Sequence, residues 1–141
     1  MQYRFVRFRA FGSEPKLTAM RVIVLVRSTK DSEAGVMPSA ELLASMGAYN
    51  GALAEAGIIR DGGGLRPTRF GARVRFDGDS RTVLKGPFEL TSDLVAGYWI
   101  WEVKDMDEAI DWLQRCPNPH PDTCEVEIRP LFEPEDFIDS D

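Results

Sequence analysis

The chain alternates short apolar runs with polar punctuation, and the period of each run assigns its element. Arg21 to Arg27, RVIVLVR, is a β-branched run between charged ends, the pattern of a strand buried on both faces in the middle of a sheet. The polar stretch STKDSEAGVMPS leads to a helix start at Pro38-Ser39. Leu42, Met46, Tyr49 and Leu53 then recur as one helical stripe, which Gly57 closes. Gly47 and Gly51 lie four apart on that helix, where each costs about 1 kcal/mol relative to alanine; they mark either close packing or glycines that the core tolerates. Ile58-Ile59 opens an extended piece that breaks at Gly62-Gly63-Gly64 and resumes near Leu65. Further on, Val74 and Phe76 alternate inward with Arg73 and Arg75 outward, Asp77-Gly78 turns the chain, and Arg81 to Leu84 returns it as an antiparallel hairpin.

The stretch VAGYWIWEV, residues 95–103, is apolar on both sides of a strand: Tyr98 and Ile100 on one, Trp99, Trp101 and Val103 on the other. Asp105 and Glu108 have capping-box spacing, Met106, Ala109, Ile110 and Leu113 form a buried helical stripe, and Cys116-Pro117 ends it. Cys124, Val126 and Ile128 alternate with Glu125, Glu127 and Arg129, a strand with one polar face. Strand, helix, strands with a hairpin, helix, strand is the order of an α+β fold of the ferredoxin-like βαββαβ type, an antiparallel sheet with helices on one face. A strand apolar on both sides then needs a second layer, since each aromatic buries roughly 150–250 Å². A second copy supplies it most economically, which predicts a homodimer with sheets packed face to face in a dimeric α/β-barrel-like assembly.

Charge divides the chain into three parts. Residues 1–19 form a basic aromatic extension, with Arg4, Arg7, Arg9 and Lys16 against Glu14 and with Tyr3, Phe5, Phe8 and Phe11 interleaved. Residues 20–132 form the domain, and residues 133–141 an acidic tail that reads as a solvated end. A net charge of −6 argues against a general nucleic-acid surface, which needs a concentrated positive field. The longest apolar run, Val22 to Val26, is far short of the roughly 20 residues that cross a bilayer, and the N-terminus lacks a continuous apolar signal segment, so a soluble cytoplasmic protein is expected, with no membrane partner. Two cysteines, Cys116 and Cys124, are too few for a disulfide framework.

Several separate segments agree in order with one family. KGPFELTSDLVAGYWIWEV resembles the signature of the YCII-related, or DGPF-domain, family, in which an Asp-Gly-Pro-Phe turn precedes a Glu-Thr-Lys-Glu-like loop and an aromatic strand. RVIVLV, EAGVMPS, AIDWLQRCPNP and EVEIRPLFEPEDF extend the resemblance over about residues 20–138. It implies a dimeric ferredoxin-like fold with no cofactor and no established reaction. More distant members include proteins with a His-Asp pair and a ring-dehalogenating lyase-like enzyme, and genes of the DGPF type lie beside those for extracytoplasmic-function sigma factors. Lys85 stands here in place of the motif aspartate, Ser92 in place of its lysine, and Asp93 for its glutamate.

Two readings of function follow. In the first, the protein is a dimeric small-molecule binder or a cofactor-independent lyase or isomerase acting on a small anionic or aromatic compound, with a cleft between subunits at the Trp99/Trp101 face. Lys85 would orient an anionic group there, Asp93 act as base and Tyr98 donate a hydrogen bond, with Phe88, Trp99, Trp101 and Arg66 lining the pocket. Those residues also have plainer readings, as a turn lysine, a loop aspartate, a core tyrosine and, for Arg66, Arg73 and Arg75, a solvated face. Cys116, His120 and Cys124 have metal-ligand spacing, C-x3-H-x3-C, but three prolines stiffen the loop, no fourth ligand is evident, and no metal is expected. In the second reading, the chain is a non-enzymatic interaction module tied to sigma-factor-linked transcription control.

Overall fold

The structure, a computed structural model, describes residues 19–138, so the basic extension up to residue 18 and the end of the acidic tail lie outside the described residues. Strand β1 (Met20–Arg27) is the apolar run at the sheet centre, and helix α1 (Lys30–Glu33) follows as a single capped turn on Thr29. Helix α2 (Ala40–Glu55) starts where Ser39 Oγ accepts the Leu42 N–H, and Gly57, at φ 73°, lets the chain leave it. Strand β2 (Ile59–Gly64) leads through a 3₁₀ turn (Thr68–Phe70) to the hairpin β3 (Ala72–Asp77) and β4 (Ser80–Lys85), turned on Gly78 at φ 57°. Strand β5 (Val95–Val103), helix α3 (Met106–Gln114) and strand β6 (Val126–Pro130) complete the described elements, followed by a 3₁₀ turn at Pro134–Phe137.

The main sheet has the order β2-β5-β1-β6 with all neighbours antiparallel, the arrangement of a ferredoxin-like α+β fold. Period-2 alternation then decides what each face carries. Val22, Val24, Trp99, Trp101 and Val103 point to the helices and pack with Tyr49 and Leu53 of α2 and Ala109 of α3. α3 is started by Asp105, whose carboxylate accepts the Glu108 N–H, while Glu108 reaches back to the Lys104 N–H. Arg21, Ile23, Leu25 and Arg27 of β1 and Tyr98, Ile100 and Glu102 of β5 form the opposite, open face, where Ile23 pairs with Ile100 and Leu25 with Tyr98. The four apolar members of that face are only half-buried.

Two expectations need correction. The strand does not break at the glycines: β2 continues through Gly64, because β5 pairs with Gly62, Gly63 and Gly64 in register, and at Gly62 the neighbouring indole leaves room only for glycine. A Cβ on Gly62 would lie 2.8 Å from Trp99 Cδ1, and Gly63 faces the Tyr98 ring on the other side. The hairpin has no inward side: β3 and β4 form a separate two-stranded sheet with every residue exposed, Val74 at 46%, Val83 at 61% and Phe76 at 70%. Alternation correctly puts Val74 and Phe76 on one face, but nothing among the described residues covers it. Gly47 and Gly51 likewise have nothing within 4 Å of a notional Cβ, so neither is a close-packing contact within the described chain.

Candidate functional site

Between α2 and the β2 end of the sheet lies a cleft of about 960 Å³, within the size range of small-molecule sites. Its floor exists because side chains are missing there. Gly62, Gly63, Gly64 and Gly97 put bare backbone beneath α2, which itself presents Gly51 and Ala54. The remaining lining is mostly apolar, with Leu42 and Met46 of α2 and Trp99 of β5 as its largest flat and flexible surfaces.

The polar groups are few and held. Trp99 Nε1 donates to Asn50 Oδ1 at 2.9 Å, so the Asn50 amide must face the other way with its NH₂ group, which has no partner among the described residues. Tyr49 packs edge-on against Trp99 at 6.0 Å and donates its hydroxyl to the Trp112 carbonyl, fixing the indole from behind. Burial pushes the Tyr49 hydroxyl well above its usual range, so it stays protonated as that donor. His120, at one end of the cleft, donates from Nε2 to the Arg27 carbonyl at 3.0 Å. At the mouth, Arg66 and Arg69 flank the Phe70 ring, their guanidinium carbons 4.0 and 4.6 Å from its centroid.

The Gly86-Pro87-Phe88 turn braces this mouth. Glu33 accepts the Thr68 N–H at 2.9 Å and the Thr68 hydroxyl at 2.6 Å, and Thr68 Oγ1 in turn accepts the Phe88 N–H at 2.9 Å. The Gly86 N–H donates to the Gly71 carbonyl at 2.9 Å, and a Cβ on Gly86 would fall 1.7 Å from the Thr68 carbonyl oxygen. Glycine is therefore required there by close approach of backbone to backbone. Helix α1, the 3₁₀ turn carrying Arg69 and Phe70, and the signature turn are tied together as one wall.

The residues singled out from the sequence fall in different places. Arg66 and Trp99 line the cleft, and Tyr98 contributes to its lining although its hydroxyl is turned to Asp61; Phe88 sits in the bracing turn beneath the Arg73 guanidinium at 3.9 Å, and Trp101 is fully buried in the core next to Trp99. Lys85 is exposed at the end of β4, paired with Ala72. Asp93 is exposed and lies 3.8 Å from Arg27, and Tyr98 is on the open sheet face, donating to Asp61 at 3.1 Å, a bond that raises its pKa. Lys85 and Asp93 lie outside the cleft lining, and the Lys85–Asp93–Tyr98 set is not gathered in one place. Among the described residues no three His, Cys, Asp or Glu side chains are grouped to hold a metal ion. Cys116 Sγ donates to the Pro117 carbonyl and Cys124 Sγ to Asn118, with burial raising both thiols, Cys116 to about 11.

Asn50 and Arg69 escaped the sequence reading. Asn50 carried a signal, a polar side chain four residues after Met46 on the inward side of an apolar helix; Arg69 carried none, because its position depends on a turn fastened by residues far away in sequence.

A family model described as YCII-related domain matches residues 20–132. An uncharacterised protein of Rhizobium meliloti (strain 1021) is 32% identical over 77 residues, which span 55% of this chain and 62% of that relative's length. Among the described residues no helix is long and apolar enough to cross a membrane.

Proposed function

The chain belongs to the YCII-related domain family, and on that premise we propose that it is a small-molecule-binding protein whose site is the cleft between α2 and the glycine-floored end of β2 and β5. The observation that carries the reading is the cleft itself: concave, apolar, and supplied with a few oriented polar groups, Asn50 above all. Exposed hydrophobic side chains around its mouth, Met37 at 78% and Phe70 at 54%, extend the apolar surface outward. A cofactor-independent lyase or isomerase activity would use the same site, with His120 as the histidine in its lining.

The protein acts as a homodimer in this proposal, joined through the open sheet face. Ile23, Leu25, Tyr98 and Ile100 make an apolar centre there. Arg60 with Glu102, Arg21 with Glu133 and Arg27 with Glu127 neutralise the charges around it, which lowers the cost of packing that face against another copy. Lys85, Asp93 and Tyr98 belong in this arrangement to the rim and face of the dimer. A second reading, an interaction module, is favoured by the exposed hairpin with Val74, Phe76 and Val83 on one face. It predicts that Phe76→Ser with Val83→Ser abolishes partner capture while leaving cleft binding intact.

Native mass spectrometry of gently purified protein tests the main reading. A dimer carrying extra mass that is lost on filling the cleft with Met46→Trp is the expected result. A monomer overturns the dimer, and extra mass indifferent to Met46→Trp overturns the cleft.

A further inference from the structure

Arginines divide by partner in this molecule. Arg21, Arg27, Arg60, Arg115 and Arg129 all lie within ion-pair distance of a carboxylate. Arg66, Arg69, Arg73, Arg75 and Arg81 have no ion-pair partner among the described residues, and of these five Arg66 and Arg69 line the cleft while the other three lie on the exposed hairpin. Stacking on Phe70 holds the two guanidinium groups near one ring without using their N–H donors. Glu33, the carboxylate fastened to this turn, has both oxygens occupied by the N–H and hydroxyl of Thr68. The Arg69 guanidinium also lies over Gly35, whose φ of 80° and missing side chain leave the space open.

We infer that the cleft takes an amphipathic anion, a flat apolar body carrying one oxyanion head group, with Arg66 and Arg69 binding the head at the mouth and Trp99 with the glycine floor receiving the body. The inference rests on the cleft being the binding site and adds to it the chemical class of ligand. A protein of net charge −6 repels anions at long range, so this preference has to come from local donors, and forked guanidinium groups supply them in the geometry an oxyanion needs. Two such groups set around an exposed ring act through solvent-accessible contacts, which makes the head-group contribution sensitive to salt. Asn50, with its carbonyl committed to Trp99, offers its NH₂ to an acceptor on the body.

The test uses two dyes with the same aromatic body, anionic 1-anilinonaphthalene-8-sulfonate and neutral N-phenyl-1-naphthylamine, each titrated into the full chain with fluorescence as readout. The sulfonate is expected to bind about tenfold tighter at low salt, an advantage that fades as salt rises. Arg66→Gln with Arg69→Gln should remove that advantage and leave the neutral dye's affinity unchanged, while Met46→Trp weakens both. If both dyes bind equally, lose affinity in Met46→Trp and ignore the arginine substitutions, the anion inference is overturned and the cleft stands. If neither binds, or both bind undiminished in Met46→Trp, the cleft reading falls and the inference with it.

Discussion

The helix-side face of β5 has two ends that share strand, sheet and covering helix yet do opposite things. At the Trp101–Val103 end the space is filled: Trp101, Val103, Val22 and Leu53 are completely buried, with Ala109 of α3 closing over them. At the Gly97–Trp99 end the neighbouring strand offers Gly62 to Gly64 and the helix offers Gly51 and Ala54, and the cleft opens. Topology is the same at both ends. Side-chain volume, together with the cover of α3 at the filled end, turns one into a core and leaves the other as a cavity, which is how a small domain can keep a stable centre beside a hollow site.

Substitutions should expose that asymmetry. Trp101→Ala at the filled end should cost ~3 to 5 kcal/mol in urea unfolding, whereas Leu43→Ala, exposed at the cleft lip, should stay within about 0.5 kcal/mol; equal costs would break the comparison. Gly62→Ala should destabilise by ~1 to 3 kcal/mol, because its new Cβ meets the Trp99 indole, and should alter Trp99 emission. Gly51→Ala sharpens the contrast: with nothing within 4 Å, it should stabilise α2 by up to about 1 kcal/mol while narrowing the cleft, so stability and ligand binding move in opposite directions. Asn50→Ala should cost ~1 kcal/mol and shift the emission of the released Trp99 indole.

The smallest expected effect is on pH dependence. Burial raises the Cys116 thiol from its ordinary 9.0 to about 11 and raises the Tyr49 hydroxyl in the same direction. The folded state therefore holds these protons more tightly than the unfolded chain, so the Cys116 contribution is fully present below pH 9.0 and is lost as pH climbs towards about 11, with that of Tyr49 persisting to higher pH. Denaturant midpoints measured across that interval should fall, and Cys116→Ala should flatten the decline.

Most of the framework was legible because local pattern and final environment agree. RVIVLVR is the central strand, the Asp105 cap starts α3, and Asp77-Gly78 turns the hairpin. Where they parted, the cause was the presence or absence of a contact remote in sequence. Alternation placed Val74 and Phe76 on one face but holds no information on whether a face is covered. The glycine run read as an interruption because glycine is a poor strand former, yet β5 pairs with all three glycines and its Trp99 indole leaves room for nothing larger at Gly62. The site was harder still. Lys85, Asp93 and Tyr98 are close in sequence but separate onto a hairpin, a turn and the open face, while Asn50, Arg69 and Trp99 come together from a helix, a 3₁₀ turn and a strand. The signature turn was visible as a motif, but its work as a brace behind Thr68 depends on Glu33, far away along the chain.

The most direct test of the cleft follows the indole and amide N–H resonances of ¹⁵N-labelled protein during titration with 1-anilinonaphthalene-8-sulfonate. The Trp99 indole N–H, hydrogen-bonded to Asn50, and the amides of Gly62, Gly63 and Gly64 should shift progressively, while the buried Trp101 indole N–H, which has no hydrogen-bond partner among the described residues, stays in place. Shifts confined to Ile23, Leu25 and Ile100 on the open face, with Trp99 and the three glycines unmoved, would contradict the account.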